Sequence, residues 1–217
     1  MASALLTASL QAAQPSVTSD ESSLQRSSDG SSGISEKKSA QTAPEKVSPV
    51  LAPDTPEICL AAFKGDMVTL RRLMLDGVNV ESAGKDRRTP LFLACSGDRT
   101  EAAAALLAAG AQVTTRDLTG ATALHWAAQR RDACIVFLLL SHRPEVNVKD
   151  EFGVTPLMWA ALNGDEQIVK ALLAAGAELE LTDADGLTAA DWARKNGFAE
   201  IAALLTPAPQ RVKSKER

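Results

Sequence analysis

Few side chains in this sequence trade protons, electrons or metal ligands. There are two histidines, His125 and His142, and three cysteines, Cys59, Cys95 and Cys134. Neither histidine has a cysteine or serine placed by spacing for nucleophilic attack. Cysteine and histidine do not group at metal-ligand intervals, so no metal site is assigned. The phosphate-cradling phrase G-x-x-x-x-G-K-[ST] is absent. No catalytic residue and no cofactor is assigned, and the chain reads as non-enzymatic. An odd number of cysteines without close pairing argues against a disulfide framework and for a reducing compartment. Cys134 falls in an apolar stretch and reads as a small core residue.

Bulk properties remove further classes. A net charge of -4 and a pI of about 5.3 oppose general nucleic-acid binding, which needs a basic footprint against phosphates. Aromatic residues make up 4% and tyrosine is absent, so platforms for stacking on single-stranded bases are scarce. No apolar run reaches the ~18 residues of a spanning helix. The start, Met1 to Leu6, lacks a basic region, and the first arginine is Arg26. Secretion and organelle import are therefore poorly supported, which leaves cytosol or nucleus.

The elements that would position any site come from a recurring phrase. Thr89-Pro90-Leu91, Thr122-Ala123-Leu124, Thr155-Pro156-Leu157 and Thr188-Ala189-Ala190 follow one another at 33 residues. Ala94, Ala127, Ala160 and Ala193 keep the same register, as do Trp126, Trp159 and Trp192. Self-similarity at a fixed period of about 20–50 residues marks a stacked array. The threonines suit helix N-caps, and Pro90 and Pro156 suit the first helical position. A second apolar helix follows each break, as in Ile168-Val169 with Leu172-Leu173. Gly110 and Gly176 supply a left-handed helix end. Asp150-Glu151-Phe152-Gly153 and its counterparts carry turn chemistry. The recurring tryptophans read as packing between repeats.

This pattern resembles the ankyrin repeat, whose phrase is T-P-L-H-x-A at about 33 residues. The resemblance implies an all-α solenoid of helix-turn-helix units with short hairpin tips. Its five repeats are read at 53–85, 86–118, 119–151, 152–184 and 185–206. Residues 1–52 read as a disordered, serine-rich leader, because such composition buries too little apolar surface to offset chain entropy. Residues 207–217 read as a basic tail. Three departures predict irregular joints: Arg87 replaces a tip glycine, Gly84 replaces a tip aspartate, and His142-Arg143-Pro144 replaces a glycine turn. The resemblance also implies that His125 is structural, bonding loop backbone.

In ankyrin domains partners meet the tips and the exposed end of the first helix on the concave face. Carried across, this gives the candidate partner-binding residues Arg88, Leu118, Gln129, Arg130, Phe152, Val154, Leu162, Asn163, Leu187 and Lys195. Phe152, Val154, Leu162, Leu187 and Leu118 are apolar at positions that should be exposed, the mark of an interaction patch. Arg88, Arg130 and Arg131 add a basic edge. Such a groove suits an extended peptide with a hydrophobic anchor and an acidic flank. The function so read is a scaffold, adaptor or inhibitor, monomeric and bound to a protein partner. The alternative is a transcription-linked nuclear regulator that uses the leader and the basic tail.

Overall fold

A computed structural model describes residues 54–206, and the leader and tail assigned above lie outside them. Among the described residues there are ten helices and no strands. They form five pairs: α1 Glu57–Lys64 with α2 Met67–Leu75, α3 Pro90–Ser96 with α4 Thr100–Ala108, and α5 Ala123–Arg130 with α6 Ala133–Ser141. α7 Pro156–Asn163 pairs with α8 Glu166–Ala174, and α9 Ala189–Lys195 with α10 Ala199–Leu204. Odd-numbered helices pack on one another to form an inner layer, and even-numbered helices form the outer one.

The start of each inner helix is built from its phrase. Thr89 and Thr155 accept from the N–H groups of Phe92 and Met158, both at 3.4 Å, and satisfy donors that the helix cannot. Thr122 differs: its N–H donates to His125 Nδ1 at 3.1 Å, and its hydroxyl lies 2.9 Å from the same nitrogen. The register alanines Ala94, Ala127, Ala160 and Ala193 are fully buried, and their small side chains let inner helices approach. Asp66, Asp132 and Asp165 cap the outer helices α2, α6 and α8. One continuous apolar core runs from Ile58 to Leu205.

Every positive φ among the described residues falls in one of three columns at the 33-residue register. The first is Gly65, Asp98, Arg131, Gly164 and Gly197, the second Gly77, Gly110, Arg143 and Gly176, and the third Arg87, Gly120, Gly153 and Gly186. The joints at Arg87 and Arg143 are therefore regular, contrary to expectation. Those arginines take φ 60° and 52°, the conformation of the glycines they replace. A residue with a side chain bears a strain of about 1–2 kcal/mol in this conformation.

The first column is also balanced across repeats. A methyl on Gly164 would stand 2.3 Å from the ring of Phe198, and one on Gly65 would stand 2.8 Å from Arg99 Cδ. Phe198 and Arg99 occupy the cap position that elsewhere holds Asp66, Asp132 and Asp165. Where the first-column residue has a side chain, at Asp98 and Arg131, the next cap residue is the short Asp132 or Asp165.

Candidate functional site

The hairpin tips are built around aspartates. Asp117 Oδ1 accepts from the N–H groups of Thr119 and Ala121, Asp150 Oδ1 from Phe152 and Val154, and Asp183 Oδ1 from Asp185 and Leu187. The first tip lacks this aspartate. Its turn bond persists, Arg87 N–H to Gly84 O at 3.0 Å, and Asp86 Oδ1 takes the N–H of Arg88. Adjacent tips are tied by backbone: Leu118 N–H donates to Asp86 O, Glu151 N–H to Thr119 O and Ala184 N–H to Phe152 O, at 2.8–3.1 Å. This ladder sets the spacing between the tips.

On this strip Leu118 is 63% exposed and Phe152 53% exposed. They lie on consecutive tips, as the sequence suggested. The other apolar candidates do not join them. Val154 is 2% exposed, against the expectation of a surface position. Its N–H is held by Asp150 and its carbonyl lies 3.2 Å from His125 Nε2, which turns the side chain inward. Leu162 and Leu187 are half-buried against the core. Gln129 and Asn163 are also buried. Asn163 Nδ2 donates to the carbonyls of Ala128 and Gln129 at 3.1 and 2.9 Å, so it ties the third repeat to the fourth.

Arg88 is enclosed as well. Its guanidinium carbon stands 4.9 Å from the centre of the Trp126 ring and 5.6 Å from that of Phe92. Its Nε lies 3.5 Å from Asp117 Oδ2 and 3.6 Å from Asp86 Oδ2, so two carboxylates already balance its charge. Arg130 faces Asp98 at 3.6 Å. Lys195 is exposed, and so is Arg131, which has no ion pair among the described residues. The basic edge is thus largely committed to the protein's own acids.

His125 is 1% exposed. Its Nδ1 accepts from Thr122 N–H, which leaves the proton on Nε2 to donate to the carbonyls of Val148 and Val154 at 3.1 and 3.2 Å. Burial holds its pKa down at about 4, so the ring is neutral. Cys59 stands in the same register and does the same work: its Sγ lies 3.1 Å from Ser82 O and 3.7 Å from Arg88 O. Burial pushes that thiol up to about 12, and the buried Cys95 thiol is raised too. Cys134 is exposed, not in the core, because it lies on the outward side of α6 beside the exposed Phe137. The tryptophans pack as read: Trp126 lies against Phe92 at 5.4 Å and Trp159 against Trp192 at 6.0 Å. Val68 and Leu75 are 82% and 88% exposed on α2, apolar positions that sequence reasoning passed over. Among the described residues no helix is long and apolar enough to cross a membrane.

A family model described as ankyrin repeats (3 copies) matches residues 58–150 and 124–216. Inversin of Danio rerio is 38% identical over 93 residues, which is 42% of this chain and 9% of that protein. Inversin of Homo sapiens is 40% identical over 92 residues, 40% of this chain and 8% of that protein. The matched stretch is thus under a tenth of the length of either relative. With ten helices in register and the family match running through them, this chain belongs to the ankyrin-repeat family.

Proposed function

We propose that this chain is a non-enzymatic adaptor or scaffold that grips a partner protein along its hairpin tips and the adjoining inner-helix face. Ankyrin repeats indicate a protein-interaction module, and the finer reading rests on one observation. Leu118 and Phe152 project apolar surface from consecutive tips whose backbones are bonded to each other. Large apolar groups held rigidly in solvent favour association, since little conformational freedom is lost on binding. Leu118 and Phe152 are the anchors in this reading, and Lys195 and Arg130 stand at its edges. Gln129, Asn163, Arg88 and Val154 act from beneath by holding the tips and inner helices in place. A cytosolic or nuclear site of action is part of the same reading.

The test is capture from cell extract with the full-length protein, beside a Leu118→Ala, Phe152→Ala variant whose unfolding midpoint matches the parent. Partners held by the parent and lost by the variant support tip anchoring. Equal recovery by both moves the anchor off the tips.

A further inference from the structure

The inner helices α1 and α5 are each overlain by an arm of chain that runs from the outer helix toward the next tip. Cys59 meets the carbonyl of Ser82, and His125 that of Val148, each 23 residues on. Successive arms also hold one another. Glu81 on the first arm accepts from Gln112 N–H at 2.9 Å and from the Thr115 hydroxyl at 3.3 Å on the second. Asn147 on the third arm accepts from Glu178 N–H at 3.0 Å on the fourth. Positions 81, 114, 147 and 180 share one register, in which Thr114 makes no hydrogen bond among the described residues. Glu180 is the next member of that set and is exposed, with no hydrogen bond or ion pair among the described residues. It lines a pocket of ≈ 310 Å³ at the C-terminal end of the array, with Leu179, Leu205, Thr206 and Asp191.

We propose that this pocket seats the chain's own residues 211–214, docked as a fifth arm. Arg211 lies 31 residues after Glu180 and Ser214 lies 34 after it, the intervals that join Glu81 to Gln112 and Thr115. The backbone N–H of Arg211 and the hydroxyl of Ser214 thus bring the same two donors to the same carboxylate. Val212 falls in register with Val80, Val113, Val146 and Leu179, all of which pack against the core. Charge agrees. Residues 152–206 hold eight acidic and three basic side chains, whereas Arg211, Lys213, Lys215 and Arg217 face one acid, Glu216. The family match likewise continues to residue 216. The approach to this arm is its own. Pro209 stands at the column of Gly77, Gly110, Arg143 and Gly176 and cannot take their positive φ. The five residues from Thr206 to Arg211 span up to about 17 Å, which leaves room for a different turn. In this arrangement the basic residues form part of the edge of the array.

Amide hydrogen exchange on the full-length protein tests the assignment. The Arg211 amide is expected to exchange at least about tenfold more slowly than in an unstructured chain. Glu180→Ala and Val212→Asp should each abolish that protection. Glu180→Gln, which keeps an acceptor oxygen, should retain it. Ser214→Glu, which sets a second negative charge against Glu180, should release the arm. The amides of Leu118, Glu151 and Ala184 report throughout that the repeats stay folded. Exchange of Arg211 at the unprotected rate in the parent overturns the proposal, as does protection untouched by both Glu180→Ala and Val212→Asp. Protection that rises with protein concentration also overturns it, by placing the arm of a second molecule in the pocket.

Discussion

Gly164→Ala isolates a contact that crosses a repeat boundary. Two costs act at this position. Alanine at φ 70° is strained by about 1–2 kcal/mol. Its methyl would also stand 2.3 Å from the Phe198 ring, which must move off its half-buried seat. Overpacking of that kind costs about 1–3 kcal/mol. Gly176→Ala is the internal control, with φ 93° and nothing within 4 Å of the added methyl. It carries the strain alone. The assay is urea unfolding of the full-length protein followed by circular dichroism, in a cycle with Phe198→Ala. Gly164→Ala should lose about 2–5 kcal/mol, against about 1–2 for Gly176→Ala. In the Phe198→Ala background it should fall to the Gly176 value, a coupling of about 1–3 kcal/mol. A Gly164→Ala cost no larger than that of Gly176→Ala, or a coupling near zero, refutes the reasoning.

Three further outcomes follow from named contacts. The folded-state pKa of His125, at about 4, lies below its ordinary value of 6.5, so its contribution is complete above pH 6.5 and is lost as pH falls toward 4. Denaturation midpoints across that window should drop by the equivalent of roughly 3 kcal/mol, and His125→Phe should flatten the slope even though it weakens the fold. Arg131→Gly should raise stability by about 0.5–1 kcal/mol in thermal unfolding, because Arg131 sits exposed at φ 68° in a glycine column. A loss there would mean that the arginine makes a stabilising contact. Arg88→Lys keeps the charge between Asp86 and Asp117 but removes the planar stack on Trp126 and Phe92. It should cost about 1–2 kcal/mol and shift tryptophan fluorescence; an unchanged midpoint would show the stack to be incidental.

The helix pairs were legible because their causes are local. Thr89 caps Phe92 three residues on, and Asp165 caps Ile168 in the same way. The tip aspartates could be read for the same reason. Much of what escaped the sequence depends on neighbours about one repeat away. Arg87 and Arg143 were expected to break the pattern, yet both take the glycine conformation and close their turns on Gly84 O and Leu140 O. Val154 was expected outside, and the bonds that turn it inward come from Asp150 and from His125 one repeat earlier. Arg88 looked like a free cation because nothing near it in sequence announces Trp126 and Asp117 as its enclosure. The match of Gly164 to Phe198 could have been found by comparing adjacent columns of the register instead of each column alone.

The backbone bonds between tips also bear on how the array deforms. Splaying the repeats apart along the tip side would stretch the bonds at Leu118, Glu151 and Ala184 together, so they resist as a single chord in tension. A partner laid along the tips therefore meets a ruler of constant pitch. In the proposed mode its anchoring side chains would have to match that pitch.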